Sequence, residues 1–365
     1  MVQHERSRIF GLDLMRCIAV LLVVYSHADD LLDAYWPRDP GAAALDGVTV
    51  FFVLSGFLIG RMLLDMVLPS PIPLWKRVVD FWQRRWLRTL PNYYLFLVIN
   101  IALVAWGWAP GLLNVNTLAY AVFLQNFIVP LDLFFWESWS LAVEEWFYLL
   151  FPLLLVLGVG LLKWRPHVGF LFATLGMILV PTILRFPAAE KVQTSFMLDL
   201  LVRKIVVMRL DSIGYGVLMA WCVREWPAWI RQQRVPLLLV GLVGLAATVF
   251  RSEYADLLYN GTWHCTFSAL TLALMLPFLS AWRSFCWSVP VTFLSLVSYA
   301  LYLAHMPLRN FFLEWVAGRS LPITVVIYAS YYLASIGVAA LVYRYWERPF
   351  MDRREALSKR LLRAT

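Results

Sequence analysis

The sequence predicts an all-α fold, a polytopic membrane helix bundle of about ten transmembrane helices with both termini in the cytoplasm. Hydrophobic residues make up 61% of the 365 residues and charged residues only 15%, and the mean hydropathy is +0.70. The apolar residues fall in repeated segments of about 20, the length that crosses a bilayer. Basic residues concentrate in alternate loops, as expected on the cytoplasmic side of a membrane.

The apolar segments follow one another along a single predicted domain, residues 1–365. This domain ends in a short basic cytoplasmic tail, residues 345–365. A further apolar piece, 112–130, is interrupted by four side-chain amides. It is therefore predicted to be a loop or re-entrant helix on the outer side. The predicted spans are 9–29, 46–66, 89–108, 138–162, 167–185, 204–223, 235–250, 263–281, 290–312 and 322–343.

Charge and cysteine content narrow the class of protein. The net charge of +8 is explained by membrane orientation, so no nucleic-acid partner is expected. The first apolar run lacks a small-residue cleavage site and carries Asp13 and Arg16, which predicts a retained span rather than a signal peptide. The four cysteines show neither metal-ligand spacing nor a disulfide pattern, and no metal is expected.

Arg16 and His27 lie in the same predicted span, with ten residues between them. Eleven helical steps bring the two side chains to within roughly 20° of one face and about 16 Å apart along the axis. Ionisable groups in a membrane usually face a protein interior or a water-filled cavity. His27 suits a general base, and Arg16 suits an anion or carbonyl oxygen. A structural ion pair of Arg16 with Asp13 is the competing interpretation.

The segment FWQRRWLRTLPNYY carries Arg84, Arg85 and Arg88 at the start of the third predicted span. Three guanidinium groups within five residues can bind phosphates. Each arginine alone is explained equally well as a cytoplasmic membrane anchor.

Two adjacent glutamates, Glu144 and Glu145, lie in an apolar helix that begins near the outer surface. Glu144 is about 8 Å into this helix, a depth comparable to that of His27. A carboxylate beside a histidine can fix its tautomer and raise its basicity. A helix N-terminal acid that interacts with the macrodipole is the alternative.

Ser55 and Gly56 form a small-residue patch in the second span, for which helix packing is favoured over a ligand channel. His305 is a further histidine near the outer end of the ninth span. It is expected to support the site as a neighbouring group or as a proton relay.

Taken together, these segments resemble the acyltransferase-3 family of integral membrane acyltransferases. The matching stretches occur in family order and cover the chain: GLDLMRCIAVLLVVYSH, GVTVFFVLSGFLI, RRWLRTLPNYY, SWSLAVEEWFYLLFPLLL, RLDSIGYGVLMA, SYALYLAHMPL and YRYWERPF. The family's arginine-ten-residues-histidine motif maps onto Arg16 and His27, and its double-arginine motif maps onto Arg84, Arg85 and Arg88. The chain departs from the family at Leu14-Met15, where Gly-Leu is frequent, and at Thr49, where an acid is frequent.

The resemblance implies an integral protein of the bacterial inner membrane that transfers an acyl group, usually acetyl, from cytoplasmic acyl-CoA to a hydroxyl on the far side. It implies no permanently bound cofactor. Arg84, Arg85 and Arg88 would hold the CoA phosphates, and the pantetheine arm would pass Arg16 and Ser55. His27 would act as the base and Glu144 would orient it, with Asp13, Glu145 and His305 in support. A covalent acyl-histidine step is an alternative to direct transfer.

The expected acceptor is a glycan hydroxyl, lipid-linked or exported, as in exopolysaccharide or lipopolysaccharide. Some members of the family carry a fused extracytoplasmic hydrolase-like domain. The sequence ends at Thr365 without one, so direct delivery to the acceptor is expected. Membrane lipid is an expected partner, and the oligomeric state is not predicted. Two alternatives stay open: acylation of a small molecule or lipid, and proton-coupled transport of a glycan or anion.

Overall fold

The computed structural model describes residues 8–35 and 46–363, and in these ranges the chain is helical with no strand. The predicted all-α membrane fold is confirmed. Residues 1–7, 36–45 and 364–365 of the predicted domain and tail lie outside the described ranges. The main helices are α1 Phe10–Ala28, α2 Gly47–Val67, α3 Leu74–Ala105, α4 Ser138–Leu155, α5 Pro166–Ala189, α6 Leu210–Glu225, α7 Pro227–Tyr254, α8 His264–Leu279, α9 Ser288–Val316, α10 Leu321–Val342 and α11 Arg348–Arg363. Short helices cover Thr117–Ala121, Ser195–Leu198 and Leu257–Thr262.

Each of the ten predicted spans corresponds to one of the helices α1 to α10. In the part of the chain that the structure describes, eight helical segments are long and apolar enough to cross a membrane. The other two, α6 and α8, have 16 residues each. Such a helix is about 24 Å long, less than the roughly 30 Å of bilayer hydrocarbon. The count of ten spans and the cytoplasmic termini stay predictions.

The third helix begins fifteen residues earlier than the predicted 89–108, because α3 is one helix of 32 residues. The arginines Arg84, Arg85 and Arg88 are therefore inside a helix rather than in a loop before it. Residues 74–90 contain no glycine or proline, so their charges do not interrupt the helix. Pro91 lies within α3 and removes one backbone N–H without ending it.

The segment 112–130 does not form a spanning helix, as predicted. Its only helix in the described chain is the five-residue Thr117–Ala121. Asn126 is fully buried, and its side-chain amide donates to the carbonyls of Trp139 at 3.1 Å and Lys204 at 2.6 Å. Asn126, one of the amides that interrupt the apolar pattern, thus holds this loop against the bundle.

Helices α2 and α6 pack at very short distance through glycine. A Cβ on Gly56 would lie 2.0 Å from the carbonyl oxygen of Ile213, and one on Gly216 would lie 2.1 Å from that of Val53. Small residues allow two membrane helices to approach in this way. The predicted packing role is confirmed for Gly56.

The start of α1 is joined to the loop that precedes α9. Phe10 N–H donates to the Arg283 carbonyl at 3.2 Å, and Gly11 N–H donates to that of Trp282 at 3.0 Å. Asp13 accepts from Ser295 of α9 at 2.7 Å. We call this end of the bundle the terminal face. His27 at the end of α1 and Asp46 before α2 lie at the opposite face.

Candidate active site

A cavity of about 150 Å³ lies between α1, α2, α3, α4 and α9. It brings together side chains that are distant in sequence. Five residues that the sequence analysis selected line this cavity: Arg16, Ser55, Arg85, Arg88 and Glu144. Among the residues described, Arg84, Glu145, Asp13, His27 and His305 do not line it.

The cavity concentrates positive charge. No hydrogen bond or ion pair within the described chain involves the side chain of Arg16 or that of Arg88. Arg85 donates to the Met62 sulfur at 3.1 Å and lies 5.7 Å from the Tyr148 ring centre. Guanidinium groups without carboxylate partners can bind an anion through charge-assisted hydrogen bonds. The cavity therefore has the chemistry of an anion site.

Glu144 is the only carboxylate among the lining residues of this cavity. Hydroxyl groups of Ser55 and Tyr148 hydrogen-bond to it, and these two hydroxyls are 2.7 Å apart. The predicted contact of Glu144 with His27 is therefore wrong. Similar depth in the membrane did not place the two side chains together, because the helical phase of α4 turns Glu144 towards α2 and α3.

Glu145 points to a different neighbour, as expected for a residue rotated by about 100°. It is buried and accepts a hydrogen bond from the Thr89 hydroxyl at 2.7 Å. Its contact is with α3, so it supports the wall that carries Arg85 and Arg88.

Asp13 is paired with Arg8, at 3.1 Å, rather than with Arg16. Asp13 and Arg16 thus do not form the ion pair of the alternative interpretation, although the charge of Asp13 still acts on Arg16. Ser295 and Arg8 supply donors to this carboxylate, which leaves the Arg16 guanidinium facing the cavity.

The two predicted histidines form a pair at the opposite face. His305 Nε2 lies 3.2 Å from His27 Nδ1. His305 Nδ1 is 2.5 Å from the Tyr302 carbonyl, which can only accept. In a neutral His305, Nδ1 therefore carries the proton and Nε2 accepts. His27 Nδ1 must then be the donor, both to His305 and to the Val23 carbonyl at 2.9 Å. This leaves the lone pair on His27 Nε2.

Tyr302 lies next to both the cavity and the histidine pair. Its side chain lines the cavity, and its ring centre is 5.7 Å from that of His305. The hydroxyl is 2.5 Å from Ser140 Oγ and donates to the Glu137 carbonyl at 3.0 Å.

The sequence analysis missed a buried polar group beside the opposite face. Arg209 is fully buried, donates to Thr49 Oγ1 at 2.9 Å and lies 3.5 Å from an oxygen of Asp46. Burial opposes ionisation of Asp46, but Arg203, Arg209 and hydrogen bonds from Val48 and Thr49 together keep the pKa of this carboxyl below its usual value. Thr49 therefore has an acid one helical turn before it. The stretch RLDSIGYGVLMA carried the only sequence signal for Arg209.

Arg84 and Glu347 lie where the C-terminal part of the chain packs against α3. Arg84 lies outside the cavity lining and donates to Ser358 of α11 at 3.4 Å. Glu347 is buried and accepts from Asn92 at 2.7 Å. Its charge interacts with those of Arg88 and Arg16. The sequence analysis did not select Glu347, although it lies in the matched stretch YRYWERPF.

Comparison with known proteins shows the family of this chain. The model of a family described as an acyltransferase domain matches residues 9–344. The chain is 27% identical to the O-acetyltransferase OatA of Staphylococcus aureus strain NCTC 8325 over 373 residues, which is 93% of this chain and 56% of that protein. OatA of strain COL matches to the same extent. The chain thus spans a little over half the length of these relatives. No solved structure gives a significant match. The chain belongs to the acyltransferase-3 family.

Proposed function

We propose that this protein is a membrane O-acyltransferase of the bacterial inner membrane. It moves an acyl group, most commonly acetyl, from cytoplasmic acyl-CoA to a hydroxyl of an extracytoplasmic or lipid-linked glycan. The observation that carries the proposal is the arrangement along α1, where Arg16 faces an arginine-lined cavity and His27 belongs to a histidine pair beyond it. Family membership and the O-acetyltransferase relatives support it.

The cavity suits the narrow part of an acyl-CoA. Its volume of about 150 Å³ is below the roughly 300–1,000 Å³ of sites that enclose a drug-sized ligand. We infer that the acyl end of the pantetheine arm enters and that the nucleotide stays at the mouth. Arg85 and Arg88 would hold the pyrophosphate, and Arg16 would meet the carbonyl oxygens of the arm.

The proposed chemistry uses the free nitrogen of His27. Nε2 accepts the proton of the acceptor hydroxyl while the hydroxyl oxygen attacks the thioester carbonyl. The C–S bond then breaks, and the departing CoA thiolate takes the proton from the imidazolium. The products are an ester and free CoA. The lone pair of His305 Nε2 accepts from His27 Nδ1–H and stabilises the transient positive charge.

Loss of ester groups from cell-envelope glycans tests the proposal. A strain that lacks the protein receives either the wild-type chain or His27→Ala, and the glycans are compared by mass spectrometry. We expect O-acyl groups only with the wild-type chain, at matched amounts of protein in the membrane. Equal acylation with His27→Ala, or no difference between the wild-type and deletion strains, would overturn the proposal.

A further inference from the structure

Helix α11, near the end of the chain, is docked on the helix that carries the arginine motif. Ser358 of α11 accepts from Arg84 at 3.4 Å. In the π-helical turn just before α11, Trp346 donates to the Pro91 carbonyl at 3.0 Å and Glu347 accepts from Asn92 at 2.7 Å. These three contacts fix the position of α11 along α3.

Arg354 brings a further guanidinium to this docked surface. It is half-buried, and its charge interacts most strongly with those of Arg84 and Arg88. The carboxylates that act on it are Glu355 and Asp80. Its Nε atom is buried with no hydrogen-bond partner within the described chain. The neighbouring Arg353 is exposed.

Such an arrangement is costly without a counter-ion. Like charges held close together repel each other, and an unpaired buried donor adds a desolvation penalty. On α3, the charges of Arg84 and Arg88 act on Arg354 more strongly than that of the carboxylate Asp80. A bound polyanion would remove both costs at once.

The order of the arginines along α3 indicates which part of the ligand meets Arg354. Arg85 and Arg88 line the cavity, whereas Arg84 points to α11. In an acyl-CoA, the pyrophosphate follows the pantetheine arm directly, and the ribose 3′-phosphate lies further from the thioester. With the arm in the cavity, the 3′-phosphate therefore falls outside Arg85 and Arg88.

We propose that α11 is part of the donor site and that Arg354, together with Arg84, binds the ribose 3′-phosphate of the acyl-CoA. This inference rests on the proposed acyl-CoA donor. It assigns a binding role to Arg354, which lies beyond the region that the family model covers. The tail then acts as one wall of the nucleotide site.

The test compares CoA with 3′-dephospho-CoA, which lacks only the proposed contact. Binding of each is measured by calorimetry on the full chain in nanodiscs, for wild type, Arg354→Gln and the exposed control Arg353→Gln. Both variants lose one positive charge from neighbouring positions of the same helix. We expect Arg354→Gln to weaken CoA binding on the order of tenfold, as for a charged hydrogen bond. Its affinity for 3′-dephospho-CoA should not change, and Arg353→Gln should affect neither ligand.

A conservative variant separates a ligand contact from a packing role. Arg354→Lys keeps the charge and should retain most of the preference for CoA over 3′-dephospho-CoA. Equal affinities in Arg354→Gln and Arg353→Gln, or an equal loss for both ligands, would overturn the proposal and leave the donor assignment intact. If the wild-type chain bound neither ligand, both the proposed acyl-CoA donor and the proposed role of Arg354 would be overturned.

Discussion

At the scale of single residues, His305 determines which nitrogen of His27 can act as a base. The Tyr302 carbonyl fixes the proton of His305 on Nδ1, and this makes its Nε2 an acceptor for His27. The resulting tautomer leaves His27 Nε2 unprotonated. Histidine at a catalytic centre commonly depends on such a neighbour for its orientation.

Two substitutions of His305 separate its two nitrogens. His305→Gln places a side-chain amide near the position of Nε2, whereas His305→Asn mimics Nδ1 and removes the group that faces His27. We expect His305→Asn to lower turnover on the order of tenfold, and His305→Gln to lower it less, because the acceptor for the imidazolium is lost only in the former. Acyl-acceptor-dependent release of CoA measures both. Higher turnover of the Asn variant would contradict the assigned tautomer.

Glu144 and Glu145 offer a second matched pair. Glu144→Gln removes the only lining carboxylate of the arginine cavity, so a polyanion should bind more tightly, by roughly threefold to tenfold for a charge at several ångströms. Glu145→Gln should change the affinity little, since this side chain is bonded to Thr89 behind the wall. The CoA affinities of both variants and of wild type are measured in nanodiscs. Weaker binding in Glu144→Gln would refute the charge argument.

The geometry of a single helix predicted the positions of some residues but not the contacts between helices. It placed Arg16 and His27 on one helix at two depths, because both residues share a single axis. It also separated Glu144 from Glu145 by phase. It could not predict the partners of Glu144 or Asp13, because depth along one helix says nothing about the rotation of a neighbouring helix. Arg209 and Glu347 were missed for the same reason, since each is defined by contacts across helices.

At the scale of the elements, the closest contact holds α2 against α6, next to the cavity. Gly56→Ala would place a methyl group 2.0 Å from the Ile213 carbonyl oxygen. Moving two backbones apart typically costs about 1–3 kcal/mol, and we expect a lower melting temperature. Gly176→Ala is the control, because its Cβ would meet nothing within 4 Å. A Gly56→Ala chain as stable as the control would show that α2 and α6 can separate freely.

The length of α3 shows why apolar segments alone do not predict where a helix begins. The sequence analysis began this span at residue 89, after the charged stretch 74–88. Helix formation needs only suitable residues and satisfied backbone groups, and the cavity and α11 accommodate the charged side chains. The arginines therefore work from a rigid helix, which positions them better than a loop would.

At the scale of the whole molecule, the orientation predicted from basic loops can be tested with a natural cysteine. Cys286 is exposed, while Cys17 and Cys265 are buried. It lies in the loop between α8 and α9, which accepts hydrogen bonds from the start of α1 at the terminal face. This face is predicted to be cytoplasmic.

A membrane-impermeant maleimide should therefore label Cys286 only after the cells are lysed. Mass spectrometry of the labelled peptide measures the modification, and Cys286→Ser shows the background. Full labelling in intact cells would contradict the predicted topology and would place the terminal face at the outer surface.

The separation of donor binding from chemistry is tested by one comparison in nanodiscs. Wild type, His27→Ala and Arg88→Gln are given acetyl-CoA and a glycan fraction from cells that lack the protein, and both acetyl-CoA binding and free CoA thiol are measured. We expect wild type to release CoA only when glycan is present. His27→Ala should bind acetyl-CoA normally but release CoA about 10²–10⁴-fold more slowly, as for loss of a general base, while Arg88→Gln should lose binding. Turnover of His27→Ala at the wild-type rate, or unchanged binding by Arg88→Gln, would contradict this division of the molecule.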